Sequence, residues 1–186
     1  PARYVDSAWA ESTKNLPELS EREDRAKGSP RYGTAMTETL LMVSRDGHHF
    51  KRWNEAFMHP GIERPGTWHY GQQYVGWHLV ETESALAGAP KELSIYSVES
   101  YWHGKGSTLR RFTLRLDGFV SVYAPLEGGE LITKPIQFVG NQLNLNFATS
   151  ARGQIKVEVQ TPDGKPIEGF TLTDCDDIFG DTIDRS

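Results

Sequence analysis

The sequence predicts an all-β protein whose strands are joined by hairpins, with one short helix near its beginning. Three Asp-Gly pairs lie between segments rich in strand-forming residues, at Asp46-Gly47, Asp117-Gly118 and Asp163-Gly164. Asp-Gly between such segments is the strongest short-range signal for a β-hairpin. The stretch 154–160 alternates apolar and polar residues, which predicts a strand with one buried face and one face in water.

Residues 1–32 are predicted to form an N-terminal extension that contains a polar helix over 17–27. Pro17 suits the first helical position, and Gly28 is a natural stop. Opposite charges four residues apart support this helix at Glu18/Arg22, Glu21/Arg25 and Glu23/Lys27. Because no broad apolar stripe runs along it, we expect a solvated surface helix. A helix that docks on a partner chain is the alternative.

Residues 33–124 are predicted to form a β-propeller blade region. Its expected strands cover 38–44, 49–53, 74–81, 92–102, 107–116 and 119–124. Four antiparallel strands within about fifty residues make the unit of a propeller blade. The long connection over 55–73 is of a kind that is functional or disordered in compact domains, and its aromatic residues favour an ordered loop.

Residues 125–186 are predicted to form the β-sandwich portion of the chain. Its expected strands cover 130–134, 136–139, 142–147, 154–160 and 169–172. The alternating stretch is typical of strands that face a second sheet on one side. This number of strands is small for a complete sandwich, so the sequence predicts an incomplete one.

The first Asp-Gly pair belongs to a motif of the form Ser-x-Asp-Gly-x-x-aromatic over residues 44–50. The Asp46 side chain can accept hydrogen bonds from backbone N–H groups just after it, and Gly47 supplies a positive φ. We expect Phe50 to pack below the turn. The motif therefore predicts a hairpin stabiliser, and Asp46 is a poor candidate for a nucleophile.

Charge and composition exclude several classes of partner. The net charge of −5 and the pI near 5.7 give no basic face for nucleic acid. No apolar run approaches the roughly 18 residues that a membrane-spanning helix needs. The single cysteine, Cys175, cannot form an internal disulfide, and its acidic neighbours disfavour the thiolate.

The histidines and clustered acids do not predict a metal site. His48 and His49 are adjacent and cannot easily bind one ion together. The other histidines of interest, His69, His78 and His103, lack the ligand spacing of zinc sites. The acids at 174, 176, 177 and 181 lack the ordered calcium loop with its terminal Glu, so we interpret them as exposed loop residues. We expect no metal and no cofactor.

Two carboxylates are the candidates for sugar chemistry, which commonly uses one acid and one nucleophile or base. Glu81 and Glu99 each follow an apolar strand and have aromatic neighbours. Burial beside aromatic rings would raise the pKa of such a group towards use as a general acid. The alternative is that each is a strand-end acid paired with Arg110 or Arg111.

Aromatic residues around the long connection and two strand ends are the candidates for substrate binding. The predicted set is Trp68, Tyr70, Trp77, Tyr101 and Trp102, with Arg110 beside them. Sugar rings stack their C–H faces on aromatic side chains, so this set could form a glycan platform. Packing in the core is the alternative for each of them. We expect Trp68 and Trp102 to be the most exposed.

A series of segments along the chain carries a family resemblance. They read LLMVSRDG at 40–47, WHLVET at 77–82, LRRFTLRLDGFVSV at 109–122 and TKPI at 133–136, with LNF, GFTL and IFGD further on. Together they resemble the C-terminal half of bacterial glycosidase-like proteins of the fructosidase and arabinanase type. The resemblance implies the last blades of a five-bladed propeller followed by a β-sandwich. It also implies a secreted or periplasmic location.

The resemblance implies an active site in a central funnel, with a nucleophile or base carboxylate from an early blade and an acid from a middle blade. No residue of this chain matches the early-blade nucleophile motif. Five blades of roughly forty-five residues exceed the chain length, so we expect part of the molecule to be missing. Alone, the chain should not hydrolyse glycosides.

The sequence leaves three functions open. The first is the C-terminal portion of a glycoside-hydrolase-like propeller protein that binds or processes polysaccharide or oligosaccharide. The second is a non-catalytic carbohydrate-binding β module, and the third is a structural or interaction domain. Two kinds of partner are expected. One is carbohydrate, and the other is the remainder of the parent protein or another chain.

Overall fold

A computed structural model of the chain describes residues 2–4, 9–102 and 106–186. The fold is β-rich, with 30% of residues in strands and 10% in helices, which confirms the β-rich part of the prediction. The described helices are α1 (Glu11–Lys14), α2 (Leu19–Ala26) and α3 (Pro30–Thr34). The described strands are β1 (Ala2–Tyr4), β2 (Met36–Ser44), β3 (Phe50–Met58), β4 (Tyr74–Val75), β5 (Val80–Thr82), β6 (Glu92–Glu99), β7 (Thr108–Arg115), β8 (Leu145–Ala148) and β9 (Asp181–Arg185).

The chain forms two compact units. The first contains the described residues up to Thr82 and Leu93–Leu114, and the second contains Glu83–Glu92 and Arg115–Ser186. In the first unit, β1, β2 and β3 make an antiparallel sheet, and β4, β6 and β5 make another in which β7 also pairs with β6. In the second unit, β8 and β9 pair antiparallel. The predicted domain limits at 32/33 and 124/125 stay predictions.

The β2–β3 hairpin forms around the predicted Asp-Gly turn, with Ser44 opposite Phe50. The Oδ1 atom of Asp46 accepts hydrogen bonds from the backbone N–H groups of His48 and His49, at 2.9 and 2.8 Å. These bonds, led by that from His49, hold the pKa of Asp46 well below its usual range. The stabilising role of Asp46 is confirmed. Phe50 is 54% exposed, so the expectation that it packs below the turn is wrong.

The other two Asp-Gly pairs also form turns, but no strand follows the turn at Asp117-Gly118. Gly164 has φ of 81° and donates to the carbonyl of Thr161 at 2.9 Å, which closes a tight turn as predicted. Gly118 donates to the carbonyl of Arg115, also at 2.9 Å, directly after β7. No strand follows this turn, however, because the described residues 119–144 join no ladder. Residues with a strand-like sequence form a strand only where the edge of another strand is available for hydrogen bonding.

The interior of the first unit is mainly polar. The buried apolar residues among those described are Ala35, Met58 and Ile95. The buried polar residues are more numerous and include Arg22, Thr37, His69, Gln73, Ser94, Ser97 and Glu99. Buried polar groups need hydrogen-bond partners, so specific hydrogen bonds carry much of the packing in this unit.

Helix α2 is anchored by a buried arginine. Arg22 is 1% exposed, and its guanidinium donates to the carbonyls of Pro17, Gly33, Thr67 and Trp68. Helix α3 approaches so closely that a Cβ at Gly33 would lie 2.3 Å from the carbonyl oxygen of Arg22. The expectation of a wholly solvated helix is therefore wrong. The charged side chain of Arg22, and not an apolar stripe, forms the buried face of α2.

Candidate functional site

Glu99, at the end of β6, is held by two arginines. Its side chain is 3% exposed, and its Oε2 atom lies 2.6 Å from Arg64 Nη2 and 2.6 Å from Arg110 Nε. The predicted pairing of Glu99 with Arg110 is confirmed, and Arg64 is a second partner that the sequence did not indicate. This arrangement is a structural ion pair, which differs from the apolar pocket expected around a general acid.

Glu81 lies exposed on β5, away from Glu99. Its neighbour Thr82 contacts Ser94 through their hydroxyl oxygens at 2.8 Å, near the other end of β6. Four or five residues of strand therefore separate Glu81 from Glu99, roughly 13 to 17 Å at the rise of a strand. The carboxyl groups of glycosidases lie about 5 to 9.5 Å apart. The structure does not bring the two predicted catalytic residues together.

Replacing Glu99 by Gln is expected to lower the free energy of unfolding by about 1 to 3 kcal/mol, because an amide cannot hold both guanidinium groups. Urea unfolding followed by tryptophan fluorescence measures this loss. Glu81→Gln is the matched control, and it should change stability by less than about 0.5 kcal/mol because its side chain is exposed. Equal losses in the two variants would show that the Glu99 pairs do not stabilise the fold.

Three of the predicted aromatic residues have separate surroundings. Trp77 is 93% exposed on the β4–β5 connection. Tyr101 meets Tyr74 edge to face, with ring centroids 5.7 Å apart. Trp68 is half-buried and donates from Nε1 to the carbonyl of Gly61 at 2.8 Å. The expectation that Trp68 is among the most exposed is wrong, since that hydrogen bond holds its ring against the loop.

Tyr70 and Trp102 come together around a residue that the sequence did not single out, Tyr32 of α3. The ring centroid of Tyr32 lies 4.9 Å from that of Tyr70 and 4.9 Å from that of Trp102, both in edge-to-face geometry. The Tyr70 and Trp102 centroids are 6.1 Å apart. Trp102 is 50% exposed, so it is braced by the tyrosine rings while part of its surface faces solvent.

An open cleft of about 640 Å³ is lined by Trp102 and Tyr32 together with residues of α2 and Gly28. The lining residues are Ser20, Glu21, Asp24, Arg25, Gly28, Tyr32 and Trp102. Hydroxyl-, carboxylate- and guanidinium-bearing residues thus line the same cleft as two aromatic residues. Beyond the charged helix, no pattern in the sequence indicates this cleft, because the residues that meet there are up to 82 positions apart.

The charged side chains of α2 are paired along the helix. Arg25 Nη2 lies 3.0 Å from Glu21 Oε2, as the i,i+4 spacing predicts. Lys27 bonds Asp24 at 2.8 Å instead of Glu23, and this bond lowers the pKa of Asp24. Asp24 is therefore an ionised hydrogen-bond acceptor at neutral pH.

An exposed arginine, Arg31, lies against two rings of the aromatic cluster. The guanidinium carbon of Arg31 is 5.4 Å from the ring centroid of Tyr32 and 5.7 Å from that of Tyr70. A cation over an aromatic face is attracted to the ring. Arg31 thereby helps to fix the two tyrosines that brace Trp102.

The described part of the chain contains no group of three histidine, cysteine, aspartate or glutamate side chains that could hold a metal ion. His103 lies outside the described residues. None of the described helices has the length and apolar character needed to cross a membrane.

Comparisons with protein-family models, curated proteins and solved structures gave no match to this chain. The function of the protein is therefore inferred from its own residues.

Proposed function

We propose that this chain binds carbohydrate in the cleft between α2 and Trp102. The observation that carries the proposal is the half-exposed Trp102 ring, which is braced edge to face by Tyr32 and lines the same cleft as the carboxylates of α2. An aromatic face packs against the C–H face of a sugar ring, and carboxylates accept hydrogen bonds from its hydroxyl groups. A cleft with a rigid aromatic wall and a few polar groups is the usual form of a small-ligand site.

We further propose that the chain is the C-terminal portion of a glycoside-hydrolase-like protein, with propeller blade and sandwich parts. The four strands β4 to β7 lie within residues 74–115, a length similar to that of one propeller blade, and they form one sheet, although β4 pairs with β6 and not with β5. Supporting a sandwich in the second unit are the β8–β9 pair and the bridge between Ile155 and Ile178. The family resemblance is the second source of this proposal.

The geometry favours binding over hydrolysis by this chain. Glu99 is fixed by Arg64 and Arg110, and Glu81 lies several strand residues away from it. Neither carboxylate is placed to act with the other on one glycosidic bond. We expect no release of sugar from oligosaccharides or aryl glycosides.

Exposed apolar residues in the second unit favour a structural or interaction role as a second candidate. Over 119–144, Val122, Leu126, Phe138 and Val139 are each at least 70% exposed. Large apolar side chains this exposed mark a surface that commonly contacts another protein. The remainder of the parent protein or another chain would cover them.

Replacing Trp102 by Ala is expected to weaken oligosaccharide binding by at least about tenfold, because truncating one aromatic anchor costs over 1 kcal/mol in binding. Calorimetry or intrinsic fluorescence with an oligosaccharide panel measures the change.

Trp77→Ala is the matched control. Trp77 is the more exposed tryptophan, and it does not line the cleft, so its loss should leave binding unchanged. If binding survives Trp102→Ala and is lost in Trp77→Ala, the carbohydrate site lies outside the cleft. If the wild-type protein binds no glycan, the proposed function is wrong.

A further inference from the structure

We propose that Arg110, held by Glu99 beside Arg64, binds an oxyanion group of a ligand, either a carboxylate or a phosphate. Two guanidinium groups share a single carboxylate there, because Arg64 Nη2 and Arg110 Nε each lie 2.6 Å from Glu99 Oε2. One carboxylate cannot neutralise two guanidinium groups, so the cluster keeps a positive charge in excess. This site is separate from the carbohydrate cleft, whose lining includes none of the three residues, and the inference does not depend on carbohydrate binding.

The guanidinium of Arg110 keeps donors available for a ligand. Its Nε–H is bonded to Glu99, and neither Nη1 nor Nη2 has a hydrogen-bond partner among the residues that the structure describes. The two Nη groups of an arginine present parallel donors that match the two oxygens of a carboxylate or phosphate. Because the Arg110 side chain is 44% exposed, a ligand can reach these donors from solvent.

Glu99 positions this guanidinium before a ligand binds. Its side chain is 3% exposed, and the same oxygen atom also holds Arg64. Arg64 donates in addition from Nη1 to the carbonyls of Pro60 and Ile62, both at 3.3 Å, so it is engaged with its own loop. Arg110 is therefore the member of the pair that receives the ligand. A donor already fixed by a buried partner loses little side-chain entropy on binding.

No second anion neutralises Arg110 in the described part of the chain, where Glu99 is its ion-pair partner. Glu63 is adjacent to Arg64 in sequence, but it is exposed and forms no ion pair with either arginine. The other oxygen of Glu99, Oε1, is buried, so an incoming anion does not contact it. The interaction of the cluster with a ligand carboxylate or phosphate is thus attractive.

The test titrates methyl phosphate and acetate separately into the intact chain at low salt, with the Nε–H signal of Arg110 followed by NMR. We expect both probes to give saturable shifts and to bind more weakly as salt is added. Arg110→Gln should weaken binding at least about tenfold, because a charge-assisted hydrogen-bonding group is lost. Arg45→Gln is the matched control, since Arg45 is exposed at the β2–β3 turn and its replacement removes the same charge.

Arg110→Lys separates the donor geometry from the charge. It keeps the positive charge and can still pair with Glu99, but it lacks the two parallel donors, so binding should be several-fold weaker than in wild type. This variant decides the test if Arg110→Gln does not fold.

Three outcomes would overturn the inference. The first is no saturable shift with either probe, and the second is an equal loss of binding in Arg110→Gln and Arg45→Gln, which would assign the effect to net charge. The third is wild-type affinity in Arg110→Lys. If the site is upheld, tighter binding of acetate than of methyl phosphate identifies a carboxylate ligand, and the reverse order identifies a phosphate ester.

Discussion

Replacing Arg22 by Met is expected to lower the free energy of unfolding by about 3 to 5 kcal/mol, since several buried carbonyls lose their donor at once. Arg22 is 1% exposed and bonds the carbonyls of Pro17, Gly33, Thr67 and Trp68. Burial lowers its pKa to about 10, which still leaves the guanidinium charged at neutral pH. Met fills a similar volume but satisfies none of these oxygens.

Urea unfolding of the Arg22→Met variant measures the loss, and Arg52→Met is the matched control. Arg52 is exposed on β3 and bonds the side chain of Asn54 at 3.1 Å, so its replacement should cost less than about 0.5 kcal/mol. Because Arg22 fixes α2 against the 67–68 loop, its loss should also abolish carbohydrate binding at the cleft. An Arg22→Met variant as stable as the control would refute the docking of α2.

Lowering the pH from about 6.5 to about 4 is expected to destabilise the protein by roughly 3 kcal/mol through His69 alone. His69 is 2% exposed, and burial, reinforced by the charges of Arg25 and Arg22, lowers its pKa to about 4. The two ring nitrogens face the carbonyl oxygens of Tyr70 and Gly66, and the neutral ring can donate to only one of them. Protonation would let both nitrogens donate, which opposes the shift in pKa, but burial outweighs it.

The loss of stability at low pH follows from the difference in proton binding by His69 between the folded and the unfolded chain. In the unfolded chain His69 takes up a proton near pH 6.5, whereas in the folded chain it stays neutral down to about pH 4. The contribution of His69 to the free energy of unfolding is therefore largest above pH 6.5. It falls as the pH drops from 6.5 to about 4 and is constant below that.

The free energy of unfolding measured from pH 7.5 to 4.5 in wild type and in His69→Gln tests this prediction. The variant should lose most of the pH dependence in this window. The carboxyls with lowered pKa, Asp24, Asp46, Asp163 and Asp174, exert their effect at lower pH and are common to both proteins. Parallel pH profiles for the two proteins would contradict the burial of a neutral His69.

Local signals in the sequence predicted the turns correctly. At Asp46 the side chain bonds N–H groups two and three residues away, and at Gly164 a positive φ closes the turn. Such features depend on neighbouring residues alone, so the sequence contains all the information they require. The strands expected over 119–124 and 130–139 depend in addition on an edge to pair with, and the described chain forms none there.

Parts of the candidate site were also predictable. The sequence offers pairing of a strand-end acid with Arg110 or Arg111 as the alternative to catalysis, and Glu99 Oε2 lies 2.6 Å from Arg110 Nε. Tyr70 and Trp102 were predicted as binding residues from their type. Nothing in the sequence indicated that Tyr32 would join them, since its ring comes from a helix that carries no aromatic repeat.

The sequence by itself determined the β-rich class, the three Asp-Gly turns and the charged helix near the start. Tertiary structure decided which side chains of that helix are buried and which face the cleft. Arg22 reaches the carbonyl of Thr67 across 45 residues, and Arg64 reaches Glu99 across 35. Contacts at such separations leave no periodic pattern in the sequence, because they depend on how the chain folds back on itself and not on the spacing of neighbouring residues.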